Sequence, residues 1–169
     1  ILDNIKERVD KHFLPRDFKG SVEYHHSADD LDLTKGEWLL LARNSYLLKE
    51  YERICELNGY PYESPSRKPL QSDALRAIKA WSKFVIGEEI HSDDLKKIKR
   101  FYKFRYKVDE DRMYKLCDLN LTPEPWYKAF NNLKPELREY FLAARRQGES
   151  LNTARIKINT IHGVKGGEA

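Results

Sequence analysis

Apolar residues recur at Ile1, Ile5, Val9 and Phe13, the four-residue spacing of one helical face, with charged residues between them. Pro15 and Gly20 end this predicted helix. Ser21–His25 reads as a short strand, and Ser27–Leu33 as an acidic connection with one helical turn. Gly36-Glu-Trp-Leu-Leu-Leu-Ala42 is a near-continuous apolar run, as in a strand buried on both faces of a parallel sheet. Asn44 or Ser45 suits an N-cap, and the helix it opens carries Leu47, Leu48, Tyr51, Ile54 and Cys55 on one side. Asn58-Gly59 stops that helix near Leu57. Tyr60-Pro-Tyr62 resumes an extended path, so strand, helix and extended segment form a βαβ-like unit.

The pattern changes after Glu63. Pro65 and Pro69 mark a linker, and Ser72-Asp73 caps a helix to about Ile86, with Leu75, Ile78, Trp81, Phe84 and Val85 on its apolar face. His91-Ser-Asp-Asp94 reads as a further cap, and Asp109-Glu-Asp111 as a helix start, where acids favour the dipole. Breaks fall near Asn120–Pro123 and Lys134-Pro135. Pro135–Arg146 has a regular helical pattern that Gly148 ends. In Arg155-Ile-Lys-Ile-Asn-Thr160, Ile156 and Ile158 alternate with polar residues, the period of a strand. The predicted class is therefore α/β: a partial parallel sheet from residues 1–64, a mainly helical insertion over 65–150, and a return to the sheet over 151–169.

Composition narrows the classes. The 169 residues suit one domain with a smaller insertion. The charge of +4, from 31 basic and 27 acidic residues, is compatible with nucleic acid without arguing for it. Cys55 and Cys117 have no CxxC partner, which speaks against a zinc site or disulfide framework and for a reducing, cytoplasmic setting. No run approaches the roughly 18 apolar residues of a membrane span, and there is no signal-peptide pattern, so no membrane partner is expected. The chain starts at Ile1, has Met113 as its one methionine and ends within a motif-like loop. We expect it to be a fragment of a longer protein.

Candidate chemistry is sparse. There is no GxxxxGK[ST] loop and no Ser/His/Asp or Cys/His arrangement. His25-His26 beside Asp29 and Asp30 lacks metal-ligand spacing. The stretch Lys96–Lys107 interleaves cations, Lys103 and Arg105 among them, with aromatics. It suits a surface that tracks phosphates and stacks bases, a half-buried strand, or a helix with a solvated basic face. Arg43 ends one predicted strand and the loop from Thr160 ends another. If the two strands share a parallel sheet, an arginine and a Gly-rich loop lie on one edge, where ligands of open α/β sheets sit.

That last loop, Thr160-Ile-His-Gly-Val-Lys-Gly-Gly-Glu168, resembles motif V of UvrD/Rep/PcrA-type superfamily 1 DNA helicases, T-[LI]-H-x-x-K-G-L-E. Thr160, His162, Lys165, Gly166 and Glu168 match, and Gly167 replaces the usual leucine. Arg43 followed by Gly59-Tyr-Pro-Tyr62 resembles motif IV and its sequel, and Gln71-Ser-Asp-Ala-Leu75 resembles the helix that comes next. The resemblance covers the chain from end to end, loosely between 76 and 150.

It implies the second RecA-like domain of such a helicase, interrupted by an accessory insertion. Arg43 then corresponds to the motif IV arginine that contacts the ATP γ-phosphate across an interdomain cleft and serves as the catalytic residue of this half. Ala42 replaces the tyrosine that stacks on adenine in relatives. Thr160 and His162 correspond to contacts with single-stranded DNA, while Lys165, Gly166 and Glu168 stand where the nucleotide is approached. ATP and Mg2+ would be held mainly by a first RecA-like domain, and this chain alone would be inactive. The alternative is a non-catalytic nucleic-acid-binding or adaptor module on a degenerate helicase fold, which Ala42 and Gly167 favour.

Overall fold

A computed structural model describes residues 20–164. The helix expected over 1–13 and the end of the Gly-rich loop, 165–169, lie outside the described residues. Ser21–His25 forms no strand: Val22 and Tyr24 point into solvent, with no strand opposite among the described residues. The acidic connection holds one 3-10 turn, Ala28–Asp30, capped by the Ser27 hydroxyl, which accepts the Asp29 N–H.

Strand β1, Trp38–Ala42, follows, and a 3-10 turn at Ser45–Leu47 leads into helix α1, Leu48–Asn58. Asn44 is extended, as an N-cap should be, but its side chain makes no capping bond. The 3-10 turn takes up the backbone groups a cap would have served. Gly59 ends α1 in the left-handed region, φ +74, as Asn58-Gly59 predicted. β2 is short, Tyr62–Glu63. The last strand, β5 at Ile156–Thr160, lies between β1 and β2 and is parallel to both. The expected βαβ unit is thus opened by one strand position, which the late strand fills.

One face of this sheet is packed. Leu40, Ala42, Tyr62, Ile156 and Ile158 are buried beneath α1 and helix α5, Pro135–Arg146. The other face differs from expectation: Leu39 is 53% and Leu41 37% exposed, so among the described residues β1 is buried on one side only. A run of leucines records hydrophobicity without recording which layers come to cover it. α5 lies in the segment assigned to the insertion, yet it packs on α1. The Tyr140 hydroxyl donates to the Tyr60 carbonyl at 3.2 Å, and its ring meets Tyr62 edge-on at 6.1 Å.

The rest of the helical segment adds a group of aromatics to the same hydrophobic core. α2, Asp73–Val85, is capped by the Ser72 hydroxyl, which accepts the Leu75 N–H at 3.2 Å. β3, Ile90–His91, pairs antiparallel with β4, Met113–Tyr114, and α3, Ser92–Phe101, packs across α2. α4 is one turn, Trp126–Ala129. Trp81 on α2 meets Phe84, Tyr102 and Phe130, and its indole N–H donates to the Glu124 carbonyl at 2.7 Å. Asp109–Asp111 starts no helix; it forms the turn that returns the chain to β4, with Asp111 at φ +52 and the Asp109 N–H donating to the Tyr114 hydroxyl. Pairing of β4 with β3 decides this segment, not the local preference of acids for helix starts. No helix is long and apolar enough to cross a membrane among the described residues.

Two contacts lock the sheet to its helices. At the strand starts, Arg155 pairs with Glu149 after α5, covers the Tyr60 ring at 5.0 Å and donates to the Gly36 carbonyl. On α1, Glu52 is buried and accepts the Ser64 and Ser66 hydroxyls, with Arg67 adding charge; this fixes the loop after β2. A buried carboxylate is tolerable because it is bonded in this way.

Gly59 packs directly on α5. A Cβ there would stand 2.1 Å from the Ala144 nitrogen and 2.4 Å from the Ala143 carbonyl carbon. Gly59→Ala combines left-handed strain with overpacking and is expected to cost about 2–5 kcal/mol in urea unfolding. A loss below about 1 kcal/mol would mean that α5 yields easily. Burial also pushes the Cys55 thiol from 9.0 up to about 12 and raises the Tyr62 and Tyr140 hydroxyls above their usual 10.0. The folded state disfavours all three anions, while the unfolded chain releases these protons at the lower values. Their contribution to stability is complete below about pH 9 and is lost as pH rises through 9 to 12. The urea midpoint should accordingly fall from about pH 9 upward, and near pH 8 a thiol reagent should label exposed Cys117 but not Cys55 until the protein unfolds.

Candidate functional site at the strand ends

β1 and β5 run parallel with Ala42 opposite Thr160. The Ile161 N–H donates to the Ala42 carbonyl at 3.0 Å, so the sheet ladder extends one step into the Gly-rich loop. Arg43 and the turn Thr160–Val164 therefore leave the same edge of the sheet from adjacent strands. This is the juxtaposition the two strand patterns require if they pair in parallel.

The turn is ordered by its own polar groups. The Thr160 hydroxyl and carbonyl both accept the Gly163 N–H at 3.0 Å, and the carbonyl also accepts the Val164 N–H at 3.3 Å. The Asn159 side-chain oxygen accepts the Thr160 N–H at 2.8 Å. Such side-chain bonds stand in for a continuing ladder where a strand ends. Thr160 is half-buried and His162 exposed. A Cβ at Gly163 would come within 2.3 Å of the Asn159 oxygen and 3.1 Å of the Thr160 hydroxyl, so a side chain there must push Asn159 aside.

The Arg43 guanidinium is exposed and makes no ion pair among the described residues. Two residues at this edge escaped the sequence reading. Tyr46 is 65% exposed three residues after Arg43 and accepts a long hydrogen bond from the Asn44 amide. Asn159 braces the turn. Neither belongs to a recognisable spacing, so only the fold reveals them. Beside the turn, the open sheet face forms a cleft of about 290 Å³ that includes Leu39, Glu63, Lys68, Lys157, Asn159 and Val164.

The other sequence candidates lie elsewhere. Lys103 and Arg105 are exposed on the irregular segment that follows α3, in the part of the chain built around α2. Lys165, Gly166 and Glu168 fall outside the described residues. Among the described residues no group of three or more His, Cys, Asp or Glu side chains converges as a metal site. His25 approaches Glu23, and Asp29 pairs with Arg53.

Comparison with family models, curated proteins and solved structures finds no match.

Gly163→Ala is expected to displace the Asn159 side chain and release the Thr160 amide. Amide exchange at Thr160 and Gly163 should then accelerate about five- to tenfold, the equivalent of one hydrogen bond of ~1 kcal/mol. Unchanged protection would show that Asn159 does not brace this turn.

Proposed function

We propose that this chain is the arginine-bearing half of an ATP-dependent DNA helicase or translocase of the UvrD-like group, with its parallel sheet as part of a RecA-like domain. The observation that carries the reading is the shared edge: Ala42 and Thr160 in register, joined by the Ile161–Ala42 hydrogen bond, with Arg43 and the Thr160 turn beside each other. The likeness of both segments to helicase motifs IV and V supplies the chemistry.

In this reading ATP and Mg2+ are held chiefly by a first RecA-like domain. Arg43 is always ionised and can fork onto phosphate oxygens, so it would offset the charge of the transferring phosphoryl group from across the cleft. An exposed guanidinium with no ion pair among the described residues fits that part. The Thr160 hydroxyl and the exposed His162 ring would meet a single DNA strand. A ladder bond ties the residue before Arg43 to the residue after Thr160, so movement of one ligand site is transmitted to the other through backbone. Alternation between nucleotide states would then alter grip on DNA, the differential binding that stepping requires.

One observation favours a second reading, a nucleic-acid-binding or adaptor module without catalysis. Ala42 is buried against the core where the resemblance would put an adenine-stacking ring. Exposed Tyr46 is the aromatic at this edge that can take over that stacking.

The intact protein carrying this chain tests the choice. Arg43→Ala should lower kcat for DNA-dependent ATP hydrolysis by about 10³ or more and leave DNA affinity within about twofold. An unchanged kcat removes Arg43 from the nucleotide site, and a wild type that neither binds nor hydrolyses ATP establishes the adaptor. The chain by itself should show no DNA-dependent ATPase.

A further inference from the structure

A second charged surface lies apart from the strand ends. Lys96, Lys99 and Arg100 share one face of α3, and Lys107 reaches the same groove from the irregular segment after it. With Val108 they line an open groove of about 400 Å³. The segment is folded back onto the helix: the Lys99 ammonium donates to the Tyr106 carbonyl at 2.9 Å and lies 5.7 Å from the Phe104 ring.

The acids nearby are largely committed. Asp73 holds Arg100 from α2, and Asp93 approaches Lys96 at 3.5 Å. Asp94 pairs with Lys97, Asp109 with Arg112, and Asp111 with His91, while Glu110 stands exposed at the turn. Among the described residues, Lys99 and Lys107 have no carboxylate within ion-pair distance, and neither do Lys103 and Arg105 farther along the segment. Asp93 and Asp73 offset the charge of Lys96 and Arg100, whereas Lys99 and Lys107 add charge to the same groove that no carboxylate offsets among the described residues, and a bound anion would neutralise it.

The groove's shape and the fate of the aromatics define that anion. Tyr102 packs on Trp81 at 5.1 Å and Phe104 on Tyr102 at 6.1 Å, so these rings belong to the core and are not free to stack on bases. What remains is two lysine ammoniums without an ion pair among the described residues, flanked by Lys96 and Arg100 along an open channel, suited to consecutive phosphates and indifferent to sequence. We infer that the α3 groove of Lys96, Lys99, Arg100 and Lys107 is a phosphodiester-backbone site, a nucleic-acid contact separate from Thr160 and His162. It rests on the proposed nucleic-acid partner and requires no ATP chemistry.

The test uses the 169-residue chain, a fluorescent 30-nucleotide single strand and a matching duplex, with anisotropy measured across a salt series. The triple variant Lys96→Gln/Lys99→Gln/Lys107→Gln should weaken binding about tenfold or more and flatten the log–log salt slope by about 2, at ~0.7 per phosphate for a single strand. The arm with the larger loss identifies the bound form. Should the triple variant misfold, Lys107→Gln alone, on the irregular segment, should flatten the slope by about 0.7. Wild-type affinity and slope with both probes would overturn the inference. Thr160→Val/His162→Ala separates the two sites. Loss there with no loss in the groove variant overturns the groove and keeps the strand-end contact; the reverse keeps the groove and removes the strand-end contact.

Discussion

The central strand of the sheet is the last one in the chain. β5 must enter between β1 and β2 and pair with both, so the sheet exists only once some ninety intervening residues have folded out of the way or been placed correctly. Closing a loop of that length has an entropic cost that grows slowly with its size, which makes a long insertion tolerable. The helical segment lowers that cost further because it is not a loose loop. α5 packs on α1, and Arg155 at the start of β5 pairs with Glu149, covers the Tyr60 ring and donates to the Gly36 carbonyl, so the entry to the central strand is anchored on both sides.

From that insertion follows the candidate site. Parallel pairing brings the ends of β1 and β5 side by side, and the ladder carries on to Ile161. An arginine and a polar turn separated by more than a hundred residues become neighbours through the parallel pairing of Trp38–Ala42 with Ile156–Thr160. The insertion between them carries its own exposed cations, although its aromatics around Trp81 belong to the same hydrophobic core as the sheet. Two charged features therefore coexist: Arg43 at the sheet edge, and an open groove of cations on α3.

Much of this was legible beforehand. Ser72 capping α2, Gly59 ending α1, Pro135–Arg146 as a helix and Ile156/Ile158 as a buried strand face all follow from local rules that the structure obeys. The departures have two causes. Asn44 or Ser45 was expected to cap, and a local 3-10 turn took the place of the side-chain bond; Ser21–His25 was expected to pair and Asp109–Asp111 to begin a helix, and there the outcome depended on what lay opposite among the described residues. Leu39 and Leu41 make the same point: their hydrophobicity foretold a strand but could not say that one of its faces would be bare among the described residues.

By itself, then, the amino-acid sequence determined most of the periodic elements, several of their caps and stops, and the mixed α/β class. Those depend on neighbours within a few residues or on a pattern read along the chain. Only the tertiary structure decided the strand order, the placement of α5 against α1, the bracing of the turn by Asn159, and the convergence of Lys107 on the α3 cations. Each of these joins groups that no local spacing relates, and each is set by which surfaces find complementary packing when the chain closes on itself.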